Sequence, residues 1–380
     1  MKYDCVIVGG GASGLMLAAM MKVNSGVIVE STAAVGNKLM LTGGGRCNVT
    51  HAGSIKDFVD CYDEAGRALR RNLYKHNNIN MVNWLESIGV PCVVEDDKYY
   101  PVSMKASDVR DALVHAGKNN GWTFRHNCKI QSISDLPESD HIVIATGGIT
   151  FPETGSDGSM FKVLRNLGVE ITPLKSALAP IYVKDYPYAE LSGVSIPNVT
   201  VTAYSSDTVN TCKGKSARIT GDLLFTHTGF SGPAILKIAK YCEPGERISI
   251  NYNCSNERSV PNSPYGQKGP ALISLPRRFK KILEDRARGE SGDIKTSKLK
   301  GLLESDNFIV QSIDNRGMVT SGGIALSELD LNSMQLKNHP GLYAIGEVLD
   351  VDGTTGGYNL QMCYSTAATA ADSIMSDLRP

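Results

Sequence analysis

Long hydrophobic runs are the first thing this sequence lacks. No apolar stretch approaches the roughly 20 residues needed to cross a bilayer, and no basic segment with a cleavage site precedes the first apolar run. A cytoplasmic protein without membrane contact is therefore expected. Charge of one sign is missing too: 39 Lys and Arg face 39 Asp and Glu, so the formal net charge is zero and no whole-molecule attraction to nucleic acid or anionic membrane arises. The nine cysteines include no CxxC pair, which supports neither a disulfide framework nor a zinc site, and no metal is expected. HExxH, a serine nucleophile elbow and a Walker lysine are absent as well, leaving hydrolase and kinase chemistry without a feature to carry it.

What is present begins with a strand that runs into a glycine turn, Val6-Ile7-Val8-Gly9-Gly10-Gly11-Ala12-Ser13-Gly14, followed by a second apolar run, Val27-Ile28-Val29, ending at Glu30. Each residue type has a physical task. Gly9 permits the tight turn, Gly11 lets backbone approach a pyrophosphate, and Gly14 lets the helix pack closely on the sheet. The helix start at Ala12 and Ser13 offers unpaired N–H groups and a positive dipole end to phosphate. Glu30, at the usual spacing of about 20 residues from the turn, suits a ribose and disfavours a 2′-phosphate. A dinucleotide site is expected.

Strands alternate with helical patterns from residue 1 to 174, including His141-Ile142-Val143-Ile144-Ala145 running into Thr146-Gly147-Gly148. The texture changes over 175–255 to β-branched runs separated by turns, such as Val199–Tyr204 and Ile248–Tyr252, which read as an antiparallel β-domain. A linker over Asn256–Gly269 leads to a helical subdomain within 256–305, where Leu275, Phe279, Ile282 and Leu283 recur behind Pro276. Between Pro276 and Lys300 nine Lys/Arg stand against four Asp/Glu, a basic excess that suits either RNA or a solvated face. A return strand over 306–320 closes the β-domain. Residues 321–380 then resume the first domain, which is discontinuous.

A single fingerprint would serve NAD. This chain adds the Thr146-Gly147-Gly148 turn and the strand end Tyr343-Ala344-Ile345-Gly346-Glu347, a combination that favours FAD. Gly346 allows close backbone approach, and Glu347, Asp352 or Asp350 suits ribityl hydroxyls. The helix opened by Gly356-Gly357-Tyr358-Asn359-Leu360 would aim its N–H groups at the flavin O2 side and stabilise negative charge on the reduced ring. The expected fold class is thus α/β: a Rossmann-like FAD-binding domain of the two-dinucleotide-binding type, with an inserted β-barrel-like domain and a small helical subdomain.

Four ordered motifs, Gly36 through Asn48, Tyr100 through Ser107, Phe225 through Pro233, and Gly346 through Gln361, span most of the chain. On these the sequence resembles the BaiN/RdsA-like FAD-dependent oxidoreductases, bacterial flavoproteins with β and helical inserts in the FAD fold. It departs from the usual pattern at Asn37 and in its shorter middle. The resemblance implies further cofactor contacts at Ser31, Lys38, Gly45, Arg46, Cys47, Asn48 and Ile130. It also implies reduction of a carbonyl-conjugated C=C bond, in a steroid-like bile acid or in a uridine of ribosomal RNA.

Such a reaction needs oxyanion donors and an acid for the α-carbon. Cys47, beside Arg46 and three glycines, is a candidate donor if its thiol titrates near neutrality, or else a packed thiol. His227, in a polar turn, is a second candidate or a structural histidine. Tyr358 is a phenolic donor or a wall for a flat substrate, the wall being favoured. With neither a CxxxxC pair nor a second complete GxGxxG, NAD(P)H would act as a transient reductant. The leading reading is a C=C reductase acting on a small conjugated carbonyl compound. The alternatives are a ribosomal RNA dihydrouridine synthase and a flavin-binding sensor without turnover.

Overall fold

The apolar run Tyr3–Val8 forms β1, buried on both faces as a central strand of a parallel sheet must be. The computed structural model describes residues 2–204, 216–253, 275–289, 292–315 and 317–378, so the linker expected at Asn256–Gly269 lies outside the described residues. The chain divides into two units, Met1–Lys175 with Val319–Pro380, and Ser176–Met318.

In the first unit, α1 (Ala12–Met20) leaves the glycine turn and β2 (Gly26–Val29) returns parallel to β1. Leu15, Met16 and Leu17 are fully buried, each contributing roughly 1.5–3 kcal/mol of apolar burial. Two glycines make this turn possible. Gly9 has φ +104°, and a Cβ there would lie 2.5 Å from the Ala145 carbonyl oxygen; a Cβ on Gly14 would lie 2.2 Å from the Gly9 oxygen. After α2 (Ala106–Asn119), β3 (Trp122–Arg125) pairs with β2, and β4 (Ser139–Ile144) pairs with β1 on its other side. Near the C-terminus β5 (Leu342–Ala344) extends the sheet beside β4. The antiparallel pair Leu329–Asp330 and Gln335–Leu336 completes seven strands. The last helix, α3 (Tyr358–Asp377), is buried along most of its length.

The second unit is a closed antiparallel barrel of six strands, in spatial order Ser195–Tyr204, Ser216–Phe225, Gly229–Ser231, Ile181–Val183, Asp306–Ile313 and Arg247–Asn251. Closure removes the exposed edges an open sheet would carry. The expected β-barrel-like insert is borne out. The helices Arg277–Ala287 and Thr296–Glu304 lay Phe279, Leu283 and Leu303 into the barrel's own core, so the segment expected as a separate helical subdomain shares one core with the strands. Arg286 forks onto the buried Asp306 carboxylate at 2.8 and 2.9 Å, with the Tyr188 and Tyr252 hydroxyls on the same group.

Candidate functional site

The C-terminal ends of β1, β2 and β4 deliver the glycine turn, Glu30 and the Thr146–Gly148 turn, the side of a doubly wound sheet where ligands bind. Glu30 is buried, its Oε2 accepting from the Gly10 N–H at 2.8 Å. Its Oε1 accepts from the Thr32 N–H, the Thr32 hydroxyl and the Ser31 hydroxyl. The first helical turn has no side-chain cap, so the N–H groups of Ala12 and the buried Ser13 face the turn without one.

The arrangement suits a flavin dinucleotide on two counts. A Cβ added to Gly11 would meet nothing nearer than the Ala145 oxygen at 3.9 Å, so the backbone there is open on one side, unlike Gly9 and Gly14. The hydroxyls of Thr146 and Ser156 are buried and have no hydrogen-bond partner among the described residues, whereas buried polar atoms are ordinarily paired. Ser156 stands close to Gly147, where a Cβ would come within 2.9 Å of its Oγ.

Several expected cofactor contacts are already engaged within the protein. Lys38 Nζ lies 2.8 Å from both Glu347 oxygens and 2.8 Å from Thr150 Oγ1, while the Thr320 N–H donates to Glu347 Oε1 at 2.9 Å. Arg46 lies 4.7 Å over the Tyr100 ring and 3.1 Å from Glu95 Oε1. Asn359 bonds both the N–H and the carbonyl of Gly353, clamping that loop. Asp352 accepts from the Ser321 hydroxyl at 3.0 Å. Gly346 donates its N–H to Thr366, Leu360 is buried, and Asn48 and Ile130 are half-buried. Gly43, Gly44 and Gly45 run consecutively at positive φ beside Arg46, and Gly148 packs against Thr320.

The three candidate acids fare differently. Cys47 is wholly buried, and burial pushes its thiol up to about 12, partly offset by a hydrogen bond with Thr42. Burial therefore works against the near-neutral titration expected of this thiol and favours the packed-thiol alternative. Tyr358 is buried in an aromatic cluster, parallel to His51 at 5.0 Å and edge-on to Phe58 at 4.9 Å; burial raises its phenol above the ordinary 10.0. That is the setting of a wall. His227 is exposed in the turn Thr226–Gly229 of the barrel unit, where the Thr226 hydroxyl and backbone bond Gly229.

His51 was not singled out by any sequence motif. It ends the short strand Thr50–His51, paired with Lys98–Pro101, and burial lowers its imidazole from the ordinary 6.5. A Cβ on Gly357 would fall 2.6 Å from the Thr50 carbonyl carbon, so this strand lies directly on the turn that opens α3. Among the described residues no group of three or more His, Cys, Asp or Glu is placed to hold a metal ion, and no helix is long and apolar enough to cross a membrane.

A parallel sheet with a glycine turn, a carboxylate at the end of β2 and an inserted closed barrel defines a Rossmann-type flavoprotein oxidoreductase. The chain belongs to the family of the HI0933-like protein Rossmann domain, whose model matches residues 3–373. Among its relatives is a ribosomal RNA dihydrouridine synthase of Escherichia coli, 28% identical, covering 99% of this chain and 98% of that protein. Another is a 3-dehydro-bile acid delta(4,6)-reductase of Clostridium scindens, 23% identical over 96% of this chain and 97% of that protein. The fold is shared with the 3-ketosteroid delta1-dehydrogenase of Sterolibacterium denitrificans, at a TM-score of 0.50 and 11% identity, covering 99% of this chain and 100% of that one.

Proposed function

We propose that this protein reduces a C=C bond conjugated to a carbonyl. The observation that carries the reading is that end-to-end relatives named for two unlike substrates, a nucleoside in RNA and a bile acid, share this reaction class. When bound, FAD supplies the electron pair and hydrogen delivered to the β-carbon, with NAD(P)H as the external reductant. Glu30 would hold the ribose, the α1 N-terminus and Gly11 would receive the pyrophosphate, and the N-terminus of α3 would favour the negative charge that the ring gains on reduction. Tyr358 and its aromatic neighbours form a rigid wall that excludes water from one side. Of the three candidate donors, His227 is exposed whereas Cys47 and Tyr358 are buried.

The barrel's basic helix supports ribosomal RNA as the substrate. Arg277, Arg278 and Lys281 are exposed on Arg277–Ala287, and Lys295 and Lys298 are exposed just beyond, opposite a face that buries Phe279 and Leu283. Such a face suits phosphates. The test is mass spectrometry of ribosomal RNA nucleosides from cells with and without the gene. Loss of dihydrouridine, restored by the gene, supports the RNA reading; an unchanged level assigns the reductase to small enones.

A further inference from the structure

The Gly53 N–H donates to His51 Nδ1 at 3.0 Å, so Nδ1 is an acceptor and the ring proton of the neutral imidazole resides on Nε2. The ring is held on every side that matters. Tyr358 lies parallel to it, Phe58 meets it edge-on at 6.2 Å, and the Asn78 side-chain amide donates to the His51 carbonyl at 2.9 Å. Among the described residues Nε2 has no hydrogen-bond partner, although the tautomer and the ring orientation are both determined. A donor oriented in this way and without a protein partner is available to a bound group.

Its location says for what. A Cβ on Gly356 would lie 3.5 Å from His51 Cδ2, and Gly356 and Gly357, at φ +121° and +97°, form the turn that opens α3. No side chain caps that 20-residue helix at its N-terminus. A helix N-terminus and an oriented N–H thus meet at one glycine turn, and both favour negative charge. In a flavin the edge that gains such charge on two-electron reduction is N1–C2–O2.

We propose that His51, through its Nε2–H, is a hydrogen-bond donor to the N1–C2–O2 edge of bound flavin and stabilises the reduced form. The assignment rests on the flavin reading and is independent of which substrate is reduced.

The test uses FAD-loaded protein and two variants, His51→Gln, which keeps an N–H, and His51→Leu, which does not. Both lose the stacked ring and are close in size, so the comparison between them reads chiefly the N–H. Two readouts apply: the affinity for sulfite, whose addition to N5 also leaves negative charge at N1, and the two-electron reduction potential. The expected result is sulfite binding at least tenfold weaker in His51→Leu than in His51→Gln, with a potential lower by about 30 mV for each tenfold. Variants that behave alike, whether both as wild type, both equally shifted or both devoid of FAD, would overturn the proposal. Wild-type protein that takes up no FAD is a distinct result, which overturns the flavin reading itself and this donor role with it.

Discussion

Lys38 and Glu347, 309 residues apart in the chain, form an ion pair at 2.8 Å, each side chain only about one-fifth exposed. Thr150 and the Thr320 N–H complete the cluster, which ties the loop after β2 to the turn after β5. Replacing one partner leaves the other charge half-buried without its counterion. We expect Lys38→Met to cost about 1–3 kcal/mol, between the values for exposed and buried pairs. The double variant Lys38→Met/Glu347→Gln should cost less than the sum of the single ones. Urea unfolding of the three variants checks this, and strict additivity would refute the coupling.

Gly11 and Gly14 stand three residues apart and are predicted to behave oppositely. A methyl group on Gly14 meets the Gly9 oxygen at 2.2 Å, so Gly14→Ala should lose both folded yield and FAD. Gly11 has room, so Gly11→Ala should fold normally and fail to retain FAD if pyrophosphate lies against that backbone. Thermal unfolding measured beside flavin content separates the two outcomes.

Buried thiols set an alkaline limit. Burial raises Cys47 and Cys363 to about 12 from an ordinary 9.0, and Cys92 to about 11. A group whose folded pKa is raised contributes its full stability below the unfolded value and loses it as pH climbs toward the folded one. Stability should therefore be insensitive to these thiols below pH 9 and decline above it. Native Cys47 should also resist iodoacetamide at pH 8. Labelling of Cys47 in folded protein, read by peptide mass spectrometry, would contradict its assignment as a packed thiol.

In the barrel unit, Arg286 is the counterion of a carboxylate that is 1% exposed. Arg286→Met should destabilise that unit by about 3–5 kcal/mol, because Asp306 is left buried and unpaired. Hydrogen exchange should show lost protection in Arg247–Asn251 and Asp306–Ile313 while β1 and β2 keep theirs. Undiminished barrel protection would mean the pair contributes little.

The strand, turn, helix and acid from Tyr3 to Glu30 were legible because their signal is local: each residue's task is defined by neighbours within one βαβ unit. The barrel's strands were legible as β texture. The place of Phe279 and Leu283 in the barrel core was not, since helical periodicity shows that a face is apolar and not what covers it. His51 escaped for a related reason. It lies on a two-residue strand, and its significance comes from Gly53, Tyr358 and the Gly356–Gly357 turn, most of which are some 300 residues distant in the chain. That Tyr100 and Glu95 engage Arg46, and Lys38 engages Glu347, was not legible either, because these partners lie some 50 to 300 residues away in the chain.

The central claim is reduction of an activated C=C bond by a flavoprotein, and the most direct test is the oxidative half-reaction. FAD-loaded protein is reduced anaerobically with one equivalent of dithionite and mixed in turn with unmodified ribosomal RNA and with a panel of conjugated enones, while the visible flavin band is followed. The account predicts that the band returns with at least one of these acceptors and that the acceptor gains two hydrogens across its C=C bond by mass spectrometry. A flavin that stays bleached with every such acceptor, yet reoxidises at once when air is admitted, would contradict it.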